Sequence, residues 1–143
     1  MKFQYNDGGR LEAGYKGVTG DCATRAIAIV TEKPYKEVYS TLNELAKDEH
    51  TTKRKKKISN ARTGVFRITS QKYLESLGYQ WTPTMLIGKG CKVHLKKEEL
   101  PNGRIIAKVS KHLVAIIDGV IHDTYDCSRG GVRCVYGYYK KVN

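Results

Sequence analysis

At 143 residues with 40% hydrophobic content, the chain is long enough for one domain with a buried core and too apolar for global disorder. Its 26 basic residues against 14 acidic ones leave a net charge of +12, a field that speeds encounters with polyanions or acidic proteins and says nothing about fold. No stretch approaches the roughly 18 apolar residues of a membrane span. The start, Met1-Lys2-Phe3-Gln4-Tyr5, lacks the apolar region of a signal peptide, so a cytoplasmic protein with free thiols is expected.

In chain order, residues 2–5 read as a short strand, and a glycine-rich loop follows through residue 18. Next comes Thr19-Gly20-Asp21-Cys22-Ala23-Thr24-Arg25-Ala26-Ile27-Ala28-Ile29-Val30, a glycine turn, a capping Asp21 and an apolar helix over 22–31. Cys22 opens that helix, where unpaired backbone N–H groups and the positive end of the dipole favour a thiolate. A second helix starts near Pro34. Tyr35, Val38, Tyr39, Leu42, Leu45 and Ala46 then recur at helical spacing as one core-facing stripe.

Residues 48–64 change character, with Lys53-Arg54-Lys55-Lys56-Lys57 as an unbroken cationic run. Like charges in a block repel and favour a solvated loop; as a contact surface, the run suits nucleic acid or an acidic protein partner. No aromatic residue interleaves it, so it would meet phosphates and would not stack on bases. Arg62, Arg67, Lys140 and Lys141 would extend the same surface.

A third helix is signalled between Thr69 as cap and Gly78 as stop. Residues 79–82 read as a strand broken by Pro83, and 84–87 as a second short run. The turn Gly88-Lys89-Gly90-Cys91 lacks the strand and helix that a phosphate loop needs. Residues 104–110 form a strand, and two β-rich runs, 112–117 and 120–125, flank Asp118-Gly119, a strong hairpin turn. Side chains alternate across a strand, so His112, Val114, Asp123 and Tyr125 share one face, with His122 and Asp126 on the other. A final strand spans 132–139, with Gly137 as a bulge. Helices first and strands later predict an α+β fold, N-terminal helices on a C-terminal antiparallel sheet, in a single domain over 1–143.

Cys91-Lys92-Val93-His94 has a zinc-ligand spacing that Cys127 and Cys134 would have to complete. Those two lie too far apart for a zinc knuckle, so ordinary thiols are expected and no metal or cofactor is assigned. Taken singly, Cys22 is a small residue packed at a helix start and His112 a commonplace strand histidine. Together with Asp123 they make a pattern: a nucleophile, a base to take its proton, and a carboxylate to orient the base.

A Gly-Asp-Cys opening a helix, a His opening a strand and an Asp on the next strand resemble the papain-like cysteine peptidases, nearest the ovarian-tumour-type deubiquitinases and the bacteriocin leader peptidases. The segment is also similar to small uncharacterised proteins of bacteria and their phages. The resemblance covers residues 19–31 and 108–126. It implies a papain-like fold and a cysteine hydrolase acting on a peptide or protein substrate, with Cys22, His112 and Asp123 as the triad. A papain-type enzyme carries its oxyanion Gln six residues before the cysteine, where this chain has Lys16. The backbone N–H of Cys22 then supplies one donor, and Gln4 or Asn6 reaches in if the N-terminal segment folds back. The other reading is a catalytically inactive basic accessory protein that binds nucleic acid or an acidic partner through residues 53–57.

Overall fold

A computed structural model of the chain describes residues 1–17, 19–53 and 57–142. Three helices, α1 (Cys22–Thr31), α2 (Tyr35–Ala46) and α3 (Arg67–Ser76), accompany six strands: β1 (Lys2–Tyr5), β2 (Tyr79–Pro83), β3 (Arg104–Val109), β4 (His112–Ile117), β5 (Val120–Asp123) and β6 (Gly137–Lys141). The strands form one open sheet in the order β1-β5-β4-β3-β6-β2. The expected α+β class holds, but the sheet is mixed. β1 runs parallel to β5, with Gln4 opposite His122 and Tyr5 opposite Asp123. A parallel pair needs a long crossover, and here all three helices lie between its two strands in sequence.

Why β3 and β4 read as near-continuous apolar runs follows from burial on both faces. Ile105, Ala107, Val109, Val114, Ile116 and Ile121 pack beneath Leu95, Leu100, Cys127 and Val135, contributed by irregular segments. Ile106, Ala115 and Tyr139 face the helices, against Ile27, Val30, Val38 and Leu42. Each side chain of this size withdrawn from water contributes about 1.5–3 kcal/mol. The α2 stripe faces the core as expected, but it divides, with Tyr35, Val38, Leu42 and Ala46 buried and Tyr39 and Leu45 only partly buried at its edge.

Several boundaries differ from the expected ones. α3 starts at Arg67 and not after a Thr69 cap, because the Thr69 hydroxyl donates to the Glu49 carboxylate from inside the helix. Residues 84–87 form no strand, and the Ile87 side chain stands fully in solvent. The last strand begins at Gly137, where it was expected to be ending. Residues 132–136 instead cross the sheet end, tied by Val135 N–H to Val93 O (2.8 Å) and Tyr136 N–H to Lys108 O (2.8 Å).

The expectation of four free thiols is also corrected. Cys91 and Cys134 form a disulfide, their Cα atoms 5.9 Å apart, which withdraws both from any zinc site. The bridge between His94 and Cys134 brings the two segments together. Closing a loop across 43 residues restricts the unfolded chain by about 4 kcal/mol. Lys53 and Lys57 are exposed, while Arg54, Lys55 and Lys56 fall outside the described residues. Three of the cations expected to extend that run are engaged within the fold: Arg62 donates to Lys16 O, Arg67 lies over the Trp81 ring and Lys140 donates to Asn102 O. No helix among the described residues is long and apolar enough to cross a membrane.

Gly137 is no bulge; it pairs in register with Pro83 and Lys108. A Cβ there would lie 2.3 Å from two ring carbons of Trp81 and 2.8 Å from Thr82 O. The indole is packed between Tyr139 (centroids 4.8 Å) and Arg67 (4.7 Å), contacts that a methyl at 137 would displace. Gly137→Ala is therefore expected to lower the unfolding free energy by about 1–3 kcal/mol, read as a reduced urea midpoint in the fluorescence of the single tryptophan.

Candidate active site

The site is built where the start of α1 meets the start of β4. Gly20 precedes α1 with Thr63 O so close that a Cβ would come within 2.6 Å of it, so the end of the basic loop crosses directly beside the helix start. Thr24 Oγ1 holds that crossing by donating to Ala61 O at 2.8 Å. Asp21 occupies the N-cap position but makes no capping bond, contrary to expectation. Its buried carboxylate instead accepts from Arg10 Nη1 (3.1 Å), Arg25 Nη1 and Tyr35 Oη (2.6 Å). Burial, then the hydrogen bond to Asp21, pushes the Tyr35 phenol far up, so it remains the donor in that bond. The first-turn N–H groups of α1 are left without a side-chain cap.

The second half comes from the hairpin. Asp118 and Gly119 both have positive φ (47° and 78°), the geometry of a two-residue turn whose twist matches its strands. The resulting register sets Ile117 opposite Val120 and Ile116 opposite Ile121. Alternation then carries His112 and Asp123 to the same side, where Nε2 and Oδ2 are 2.6 Å apart. Asp123 Oδ1 accepts from Arg25 Nη2 (3.2 Å) and from the Thr124 N–H (2.7 Å). The carboxylate is thus held on both oxygens. The Tyr125 ring lies against the imidazole, centroids 5.4 Å apart.

Half-buried Cys22 completes the line. Burial is the largest influence on its thiol and opposes ionisation. The hydrogen bond and charge of His112, the Leu113 N–H and the charge of Arg25 together outweigh it, and the thiol is held below its usual range. His112 moves the other way. Burial disfavours its charge, but Asp123, Cys127 and Cys22 hold the proton, and its pKa is pushed up to about 11. Asp123, buried but bonded to His112 and close to Arg25, is held below the ordinary carboxylate range. The two shifts oppose each other in sign, so the pair favours a thiolate beside an imidazolium. With Nε2 engaged by Asp123, Nδ1 is the nitrogen left to serve the thiol.

A cleft of about 680 Å³ opens onto this pair, with Thr19, Gly20, Thr63, Gly64 and Val65 along one side and Lys108 on another. Gln4 and Asn6 are not among its lining residues. The N-terminal segment does fold back, but Gln4 Nε2 donates to Tyr5 O and the Asn6 amide bonds His122 and the Gly8 N–H. That leaves the uncapped backbone N–H groups at the start of α1, with the Leu113 N–H, as the backbone donors on the Cys22 side. Of the residues sequence reasoning passed over, Arg25 was detectable as the cation one helical turn after Asp21. Arg10, Tyr35, Cys127 and the 63–65 wall carry no local signal.

His112, Asp123 and Cys127 bring three ligand atoms within 4.8 Å of one another, the geometry of a partial metal site. Both Asp123 oxygens are already taken, and an added cation would sit against the Arg25 guanidinium. The donor set fits a proton-transfer line better than a metal. Comparison with known proteins finds no matching family model, no matching curated protein and no matching solved structure. The class of site is defined by its own geometry.

Two outcomes follow. Replacing His112 by Gln removes the two strongest influences that lower the Cys22 thiol and leaves its burial, so the midpoint of iodoacetamide alkylation against pH should move to higher pH. Asp21→Asn leaves Arg10 and Arg25 without their shared counter-charge, and chemical denaturation should show a loss of about 3–5 kcal/mol.

Proposed function

We propose that the chain is a papain-like cysteine hydrolase of the peptidase or amidase type. One observation carries this reading: His112, bonded to Asp123 at 2.6 Å, lines one open cleft with Cys22 and is the strongest of the influences that lower that thiol. The order of the three in the chain, with the nucleophile on a helix start and the base on a strand start, supports it further.

The Cys22 thiolate attacks the carbonyl carbon of an amide, forming a C–S bond, and the negative charge that develops on the oxygen faces the N–H groups at the start of α1. His112, already protonated, delivers its proton to the departing amine as the C–N bond breaks. Water then attacks the thioester, its proton passes to His112, and the carboxylic acid leaves as the thiolate is restored. Asp123 keeps the ring oriented and its charge balanced, while Arg25 steadies Asp123 from behind.

The other reading, an inactive basic protein that grips nucleic acid or an acidic partner, draws on the exposed Lys53 and Lys57 and the net charge of +12. The two separate cleanly. Cys22→Ala should abolish labelling by a thiol-directed amide or thioester probe while the melting temperature moves by no more than about 2–4 °C. A silent Cys22→Ala combined with activity lost on neutralising residues 53–57 would overturn the hydrolase reading.

A further inference from the structure

The cleft carries a charge that the rest of the fold does not use. Besides His112, four cationic residues line it, Arg10, Arg25, Lys108 and Lys111, and among the described residues no Asp or Glu does. Arg10 and Arg25 are accounted for by Asp21 and Asp123 behind the wall, and His112 by Cys22. Lys108 and Lys111 are what remains.

Lys108 is the unusual one. It sits on β3 opposite Leu113, on the side of the sheet that otherwise presents Ile106, Ala115 and Tyr139 to the helices. The ammonium is half-buried at a position where an apolar side chain would serve packing better. The charges that act on it are the Cys22 thiolate and two further cations, Arg67 and Arg133; no carboxylate is among them. Lys111 stands exposed at the rim, on the turn leading into β4 with φ of 56°. A half-buried cation with no carboxylate partner among the described residues, beside Cys22 and facing a cleft, is placed for an anion that arrives from outside.

We propose that Lys108, with Lys111 behind it at the rim, makes this cleft selective for peptide substrates that carry a carboxylate side chain beside the bond to be broken. The proposal rests on Cys22 being the nucleophile. A peptide is favoured over a nucleic acid because only two of the cations that line the cleft lack a carboxylate partner among the described residues, too few to track a phosphate backbone.

The test compares iodoacetate with iodoacetamide as alkylators of Cys22 in the intact protein, which separates the anion preference from the reactivity of the thiol. Because any cation near the sulfur alters the thiol, the ratio of the two rates is read and not either rate alone. The iodoacetate-to-iodoacetamide ratio should exceed that of free cysteine by about tenfold and fall by about fivefold in Lys108→Met. Lys108→Arg, which keeps the charge, should retain it. A peptidyl acyloxymethyl ketone with Glu beside the electrophile should then label faster than its Gln counterpart, by a margin that shrinks with added salt. Fast alkylation with a ratio unchanged by Lys108→Met overturns the proposal alone. Slow alkylation by both reagents overturns the nucleophile reading and the proposal with it. Protection of Cys22 by a single-stranded oligonucleotide as strong as that by a glutamate-rich peptide would point the cleft at nucleic acid and overturn the peptide assignment.

Discussion

A carboxylate sealed from water has to be met by cations and hydrogen bonds, and Asp21 is met by two arginines and a tyrosine. Arg25 then turns its other arm to Asp123, which holds the imidazole of His112. This buried chain of charges crosses from the first turn of α1 to the end of β5 and fixes how the helix start is aimed at the sheet. Each member is balanced by the next, so losing one leaves another buried and unpaired. The line that ends at Cys22 depends on that alignment.

The same arrangement explains why the start of α1 is open. An Asp at a helix N-cap ordinarily folds back on the first-turn N–H groups and satisfies them. Here the carboxylate is drawn inward by Arg10, Arg25 and Tyr35, and the N–H groups keep their donor capacity on the side where Cys22 faces the cleft. An oxyanion pocket of the proposed chemistry needs unsatisfied donors held rigidly, and diverting the cap would provide them. In the proposed chemistry the Asp21 network therefore acts through position and donor supply and does not touch the substrate.

The sheet supplies the rigidity. With helices on one face and the segments around Leu95, Leu100, Cys127 and Val135 on the other, β3 and β4 are clamped from both sides, and His112 sits at the end of that clamped region. The cleft lies where this order ends, between the sheet, the helix start and the chain crossing at Thr63 to Val65. Lys108 marks the boundary, a charged residue at the last position before apolar packing takes over.

Local signals in the sequence determined the elements. The apolar run after Gly20-Asp21 set α1 at Cys22–Thr31, the tyrosine and leucine stripe set α2, and Asp118-Gly119 set a hairpin register that puts His112 and Asp123 on one side. These readings succeed because helix periodicity, strand alternation and a two-residue turn are decided within a few neighbouring residues. The parallel placement of β1, the Cys91–Cys134 disulfide and the diversion of the Asp21 carboxylate were decided only by the tertiary structure. So was the absence, among the described residues, of a carboxylate beside Lys108. Each depends on which distant segments come to lie against one another, and no periodicity or motif within one segment records what will be packed across from it.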